Sequence, residues 1–269
     1  MTKTIAWVVG ALVLAAALIW GALWWQKRTT PAVALPPPVV QAPAPEPPAP
    51  PAPQIEHPIE RAQDGQSELP PQVALDASDG PLRDALANLF KGNKLPEWVQ
   101  PMNLIRHSVA TIDNLPREKT APRLMPVRPT PGALTTITAG ENLVIAPDNS
   151  ARYTPVIAVV QAVDAKQLAA VYVRFYPLFQ QAYRELGYPD GYFNDRLVVV
   201  IDHLLATPNV KTPIALVQPK VLYRYADPEL EALSSGQKAM IRIGPDNAAV
   251  LKAKLREIRN EVTGSVVVR

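Results

Sequence analysis

Proline placement constrains this chain more than any other feature of its sequence. The 269 residues include 31 prolines, and 12 of these fall between Pro31 and Pro58. Each proline fixes φ near −65° and removes a backbone donor, so this segment cannot form helix or sheet and is expected to populate polyproline II. At about 3.1 Å per residue it would reach up to roughly 90 Å when extended. We therefore predict a disordered Pro-rich linker over residues 29–72.

An alternative interpretation of the linker is that it contains a docking motif. Residues 45–48 offer the PxxP spacing that proline-reading domains bind. Such spacings arise by chance in any segment this rich in proline. The sequence therefore favours a spacer over a proline-motif adaptor.

An uncharged apolar stretch precedes the linker. It runs from Ile5 to Trp25 with 19 apolar residues in 21, and at about 1.5 Å per residue it would span the ~30 Å hydrocarbon core of a bilayer. Tryptophans gather at its C-terminal end, where indole rings favour the headgroup interface. We predict an integral membrane anchor over residues 5–25, within an N-terminal region 1–28. A cleaved signal peptide is the alternative, although its apolar region would be only about 7–15 residues long.

Charge does not decide the orientation of this anchor. Lys3 and the N-terminal amine lie on one side, and Lys27 and Arg28 lie on the other. A short tail, one anchor and a long spacer are typical of a domain held on the outer face of a bacterial inner membrane. We therefore expect a single-pass inner-membrane protein with a periplasmic soluble domain, and the reversed topology is the alternative.

The character of the chain changes over residues 73–262, which are numerous enough to form one hydrophobic core. Apolar residues at helical spacing, with caps, predict a mainly α domain, and short alternating runs predict a minor β element. Residues 263–269 are predicted to be a C-terminal tail. Helices are expected to begin near Asp79, Pro96, Asp164, Asn194 or Asp195, and Asp227, and again after Gly244; strands are expected within residues 134–145, 216–217 and 221–225.

Part of this domain resembles a known family. Three segments carry the resemblance: Arg152-Tyr153, YPLFQQAYRELGYP over residues 176–189, and YFNDRL over residues 192–197. These segments are similar to the bacterial domain-of-unknown-function family 3014, and the likeness extends over about residues 79–261. The resemblance implies an N-terminal membrane anchor, a proline-rich stretch and one soluble domain. It implies no activity, substrate or catalytic residue.

The sequence excludes several kinds of chemistry. It contains no cysteine and only three histidines, which cannot form a zinc cluster unaided. Phosphate-binding glycine loops, GxSxG and HExxH are absent, so we expect no cofactor and no metal. Asp190, Asp195 and His203 are the remaining candidates for an envelope hydrolase. Turn, capping and packing roles explain all three, so a non-catalytic domain is favoured over an enzyme.

Tyrosine and arginine cluster between residues 152 and 196. Both side chains bury area while keeping a hydrogen-bonding tip, as partner-binding surfaces require. The candidate partner-binding residues are Arg152, Tyr153, Tyr183, Tyr188, Tyr192 and Arg196. The alternative is that these tyrosines are core residues whose hydroxyls are satisfied at its rim. We expect a protein or an envelope polymer as the partner.

Net charge adds little to this interpretation. The chain carries a formal charge of +3. Lys252, Arg256 and Arg259 share one face of the last helix, but Glu257 and Glu261 lie alongside, which favours a solvated face over a lipid-binding one. Without a dense basic patch, no nucleic acid is expected. The sequence thus predicts a membrane-anchored envelope protein with a binding or scaffold domain, and an envelope hydrolase is the alternative.

Overall fold

A computed structural model of the chain describes residues 54–59, 73–90 and 94–264. About 55% of these residues are helical and 8% lie in strands or bridges, which confirms the predicted mainly α fold with a minor β element. The predicted anchor over residues 5–25, most of the predicted linker and the end of the C-terminal tail lie outside the described residues.

The longest helix among the described residues, Ala165–Glu185, has 21 residues. No single helix among them combines the length and the apolar character that a membrane span requires. Two segments bent by 78°, Pro147–Ala162 and Ala165–Glu185, meet the requirement jointly on length and composition alone.

Eight α-helices and four β-strands make up the described part of the chain. In chain order they are α1 (Asp79–Ala87), α2 (Leu104–Asn114), β1 (Thr136–Ala139), β2 (Asn142–Ile145), α3 (Thr154–Ala162), α4 (Ala165–Glu185), α5 (Phe193–Leu205), β3 (Ala215–Val217), β4 (Arg224–Tyr225), α6 (Pro228–Glu231), α7 (Ser235–Arg242) and α8 (Pro245–Thr263). Three short 3-10 helices cover Leu75–Ala77, Pro122–Leu124 and Pro147–Tyr153.

Helices α4 and α8 organise the packing. The carboxylate of Asp164 accepts a hydrogen bond from the Gln167 N–H at 2.8 Å and so caps the start of α4, as predicted. The helix ends before Gly187, whose φ of 116° suits a residue without a Cβ. Helix α4 packs against α1, α2 and α8, and α8 also packs against α3, α5 and α7. The largest core cluster lies around α4 and includes Leu82, Ile105, Val109, Phe175, Tyr183 and Phe193.

The helix predicted to begin at Pro96 begins instead at Leu104, so that prediction is wrong by two turns. Pro101 has no N–H to donate, and Val99 forms an antiparallel bridge with Val127. The start of α2 is capped from another helix, because the carboxylate of Asp79 accepts from the N–H groups of Asn103 (2.7 Å) and Leu104 (2.8 Å). Asp79 was expected to cap α1, and the structure uses it for α2.

The four strands form one antiparallel sheet in the order β1-β2-β3-β4. The predicted hairpin is confirmed, with Thr136 opposite Ile145 and a turn at Gly140. Leu216 and Tyr225 pair across β3 and β4 and pack against Ile241 of α7. The strand predicted over residues 221–225 is shorter than expected, because only Arg224 and Tyr225 find a pairing partner.

Helix α5 is less buried than predicted. The run over residues 197–201 is apolar and predicts a helix that is buried on nearly all sides. Val198, Val200 and Ile201 are buried, but Val199 is 53% exposed, so that prediction is wrong. Neither Asn194 nor Asp195 caps α5, because the side chains of both residues bond to other segments. One side of α5 is exposed because the helix lies between α2 and α8, and this arrangement leaves that side open to solvent.

Two helical glycines provide a matched test of packing. A Cβ at Gly80 in α1 would have nothing within 4 Å, whereas a Cβ at Gly236 in α7 would lie 2.7 Å from Leu204 Cδ2 and 3.0 Å from the Leu115 carbonyl oxygen. Gly80 precedes Pro81, whose ring disfavours helical dihedral angles in a residue that carries a Cβ. The helix-propensity gain of Gly80→Ala should therefore be offset, and the free energy of unfolding should change by less than about 1 kcal/mol. Gly236→Ala should lower it by roughly 1–3 kcal/mol, because the backbone of Leu115 cannot yield freely. Urea denaturation measures both, and an equal loss in the two variants would contradict the packing described for α7.

The alkaline stability of the sheet depends on Tyr225. Burial raises the pKa of Tyr225 to about 12, with Arg242 opposing the rise and Glu231 adding to it. An unfolded tyrosine titrates near 10, so the unfolded chain loses this proton first as the pH rises. The resulting stabilisation is complete below about pH 10 and is lost as the pH approaches about 12. We expect Tyr225→Phe to flatten the decline in unfolding free energy over this window, and Tyr223→Phe is the control. An unchanged slope in Tyr225→Phe would contradict the prediction.

Candidate functional site

The structure divides the six candidate partner-binding residues into two groups. Tyr183, Tyr188, Tyr192 and Arg196 lie where α4 ends and α5 begins, whereas Arg152 and Tyr153 line a cleft beside the sheet. The first group holds the helices together, and the second remains available to a ligand.

A buried carboxylate organises part of the first group. The side chain of Asp113 is 2% exposed and accepts hydrogen bonds from Arg196 Nε (2.9 Å), Arg117 Nη2 (2.5 Å) and the Tyr188 hydroxyl (3.1 Å). Arg196 Nη2 also donates to the Asp113 carbonyl oxygen at 2.9 Å. The hydrogen bond to Asp113 raises the pKa of Arg117. Two arginines and one tyrosine thus satisfy Asp113 and join α2 to α5.

Tyr183 is a core residue. It is 6% exposed, its ring stacks on Tyr188 with centroids 4.6 Å apart, and burial raises its pKa. A Cβ at Gly191 would lie 2.8 Å from Tyr183 Cε1, so the turn between α4 and α5 fits tightly around this ring. The alternative in which the tyrosines serve the core is therefore what the structure shows for Tyr183.

The start of α5 binds a segment from the end of the predicted linker. We call residues 54–59 the docked segment. Asp195 accepts hydrogen bonds from the N–H groups of Glu56 (3.1 Å) and His57 (2.7 Å), and the Tyr192 hydroxyl accepts one from Ile59 N–H (2.8 Å). The docked segment is thereby held by side chains more than 130 residues away in sequence, and no local pattern in the sequence indicates such contacts.

The fully buried Asn194 connects the docked segment to the last helix. It is 0% exposed, and its Nδ2 donates to the carbonyl oxygens of His57 and Val262, both at 2.9 Å. Its Oδ1 accepts from the Tyr172 hydroxyl at 3.2 Å. Sequence reasoning missed this role because Asn194 also suits a helix cap.

The three candidate hydrolase residues have separate surroundings. Both carboxylate oxygens of Asp195 are engaged by the docked segment, and Asp190 is exposed in the turn before α5. His203 Nε2 lies 2.7 Å from Ser234 Oγ, but that hydroxyl also accepts from Gln237 N–H at the start of α7. None of the three residues lines the cleft beside the sheet to which Arg152 and Tyr153 contribute.

A cleft lined by described residues lies beside the sheet. It has a volume of about 630 Å³, within the range of ligand sites, and we call it the basic cleft. Its walls are the loop 129–134, Arg152 with Tyr153, the loop 221–223 and Arg242. The sequence pointed to Arg152 and Tyr153 but missed Tyr223 and Arg242, which come from segments 70 to 90 residues further along the chain.

The guanidinium of Arg152 is fixed in place on the wall of the basic cleft. Its Nη2 donates to the carbonyl oxygens of Pro131 (2.9 Å) and Gly132 (2.6 Å), and its Nη1 donates to Asn149 Oδ1 (3.1 Å). It also lies 5.5 Å from the centroid of the Tyr153 ring, as in a cation–π pair. These contacts hold the loop and the guanidinium together.

A smaller cleft of about 130 Å³ adjoins the basic cleft and shares Leu134, Tyr223 and Arg242 with it. Its lining adds Arg224, Lys238 and Glu231. Within the described ranges, no group of three or more histidine, aspartate or glutamate residues could hold a metal ion. The two clefts therefore offer positively charged and aromatic side chains to a ligand.

The buried carboxylate of Asp113 should dominate the stability of the α2–α5 contact. We expect Asp113→Ala to lower the free energy of unfolding by roughly 2–4 kcal/mol, because it removes the carboxylate that balances the charge of Arg196 in a largely enclosed site and leaves Arg196 Nε without its partner. Arg117→Gln should cost less than about 1 kcal/mol, because half of that side chain is exposed to water. Urea denaturation measures both variants, and equal losses would show that Asp113 does not anchor the contact.

Comparison with known proteins places the domain in a family. A family model described as "Protein of unknown function (DUF3014)" matches residues 104–259. The match covers α2 to most of α8, including the Asp113 contacts and the whole lining of the basic cleft. A search of the curated proteins and a search of the solved structures found no match. Because the matched residues make up more than half of the chain, the protein belongs to the DUF3014 family.

Proposed function

We propose that this chain is a membrane-anchored bacterial envelope protein whose domain binds another envelope component without catalysing a reaction. The basic cleft is the proposed binding surface. The observation that carries the proposal is its lining, which brings Arg152, Arg242, Tyr153 and Tyr223 together and includes no carboxylate among its described residues. Arginine and tyrosine are the residues that contribute most to binding surfaces, because each combines a large contact area with directed hydrogen bonds.

The place where the chain enters the domain supports this use of the cleft. Asn194 joins His57 to Val262 near the C-terminal end of α8, whereas Asn247, near its N-terminal end, donates to the Ser150 carbonyl oxygen beside Arg152. These two points are 15 residues apart along α8, which corresponds to about 22 Å. The docked segment and the basic cleft therefore lie toward opposite ends of this helix, so the docked segment does not cover the cleft.

The remaining parts of the proposal extend the sequence interpretation. We propose that residues 5–25 anchor the chain in the inner membrane and that the Pro-rich linker holds the domain away from it on the periplasmic side. A spacer of this kind gives the domain reach toward a partner that is not itself at the membrane surface.

The contacts of the candidate hydrolase residues support a non-catalytic role. Asp195 would lose its bonds to the docked segment if it acted as a base, and the Ser234 hydroxyl caps α7. A nucleophile and its base need an open position beside them for a reacting atom. Asp190, Asp195 and His203 line neither the basic cleft nor the smaller cleft that adjoins it.

Site-specific crosslinking tests the proposal in native membranes. A photoreactive amino acid is introduced at Leu222, which is 78% exposed at the rim of the basic cleft, and at Val199, which is 53% exposed on α5. We expect an adduct with an envelope component from position 222 and none from position 199. Arg242→Glu should reduce the adduct at position 222 at least about tenfold, which corresponds to the loss of one charge-assisted contact.

The matched control is Arg256→Glu, which makes the same charge change on the exposed face of α8 away from the cleft. It should leave the adduct unchanged. Complementation of a deletion strain separates binding from catalysis: loss of function in His203→Asn, with full function in Arg242→Glu, would refute the proposal and favour the hydrolase.

A further inference from the structure

The lining of the basic cleft and of the smaller adjoining cleft has an unbalanced charge. Four cationic side chains line the two clefts, namely Arg152, Arg224, Lys238 and Arg242. The carboxylate among their described lining residues is that of Glu231, which already accepts from Tyr225 N–H (3.0 Å) and Lys238 Nζ (3.4 Å). The potential in the clefts is therefore positive and attracts an anionic ligand.

The two arginines of the basic cleft can contribute in different ways. Arg152 uses three of its five N–H donors on its own chain, which leaves donors on Nε and Nη1 in a fixed plane. A guanidinium that is already ordered loses little rotamer entropy when it pairs with a carboxylate. Arg242 is exposed and lies near the Tyr225 hydroxyl, where burial raises the pKa and Arg242 opposes the rise. It takes part in none of the ion pairs found among the described residues, so no described carboxylate neutralises its charge.

The rim of the cleft is aliphatic. Val221 is 85% exposed and Leu222 is 78% exposed, the two highest values among the large apolar side chains of the described residues. Covering such side chains removes apolar surface from water and so favours binding. A peptide supplies both carboxylates and aliphatic side chains, whereas an acidic polysaccharide supplies carboxylates without aliphatic side chains to cover this pair.

We propose that the basic cleft binds an acidic segment of a partner protein. Aspartate or glutamate carboxylates of that segment pair with Arg152 and Arg242, and aliphatic side chains beside them pack on Val221 and Leu222. This inference rests on the proposed function, because it names the class of ligand for the same site.

Selection from a random library of 12-residue peptides tests the ligand class. The full chain is presented in nanodiscs, and bound peptides are sequenced. We expect enrichment of aspartate and glutamate next to leucine, isoleucine or valine. Arg242→Glu should abolish this enrichment, whereas Arg256→Glu should retain it. Arg242→Gln removes the charge without reversing it and should weaken the enrichment. This variant distinguishes the loss of an attractive contact from the repulsion that Arg242→Glu introduces.

The enriched peptide is then compared with its own amide analogue, in which asparagine and glutamine replace the acids. Fluorescence polarisation should give a Kd at least about tenfold weaker for the amide peptide, because each charge-assisted contact contributes more than a neutral one. Raising the salt concentration should weaken only the acidic peptide. Unchanged thermal unfolding of the Arg242 variants shows that they remain folded.

Three results would overturn the proposed ligand. Enrichment without acidic residues would do so, as would binding of polygalacturonate together with failure of every peptide. The third is tighter, Arg242-dependent binding of a synthetic peptide covering residues 31–58, which would make the chain's own linker the occupant. An adduct from position 222 that persists despite any of these results would preserve the proposed function and reject only the ligand class. Absence of both the adduct and peptide binding would reject both.

Discussion

The buried amide of Asn194 is the interaction on which the arrangement of the domain depends. Its two N–H donors are used by the carbonyl oxygens of Val262 and His57, and its oxygen accepts from Tyr172. An amide removed from water without such partners would cost several kcal/mol. Helix α4, the end of α8 and the docked segment must therefore converge on α5 in one arrangement. The hydrophobic core alone would tolerate several.

The residues beside Asn194 work in the same way, and they fall in one of the segments that carry the family resemblance. Tyr192 and Asp195 hold the docked segment, and Arg196 pairs with the buried Asp113. The run over residues 192–197 is thus an architectural element that joins distant parts of the chain. The cluster of tyrosine and arginine contains two kinds of residue: those near α5 that hold the fold together, and Arg152 with Tyr153, which face the basic cleft.

Elements with signals in their own sequence were predicted well. The cap at Asp164, the stop at Gly187 and the break before Pro245 all act within one turn of the helix they bound, so α4 and α8 were predicted nearly to their ends. The start of α2 was not, because its cap comes from Asp79, about 25 residues earlier. Helix α3 was not predicted, and the single helix predicted from Asp227 to Gly244 is divided into α6 and α7. Strand β4 was predicted too long because residues 221–223 have strand-forming side chains but no neighbouring strand. The sequence indicated only half of the candidate site. Tyr223 and Arg242 were missed because they come close to Arg152 only in the folded chain.

The sequence by itself determined the class of the domain and the chemistry that it lacks. Helical periodicity, proline positions and the absence of cysteine are properties of the chain that no packing can change. Only the tertiary structure decided which polar groups meet: Asn194 with Val262, Asp113 with Arg196, and Arg152 with Arg242 across one cleft. The physical reason is that caps and periodicity act over one or two turns. The satisfaction of a buried polar group instead depends on whichever distant segment packing brings within hydrogen-bond distance.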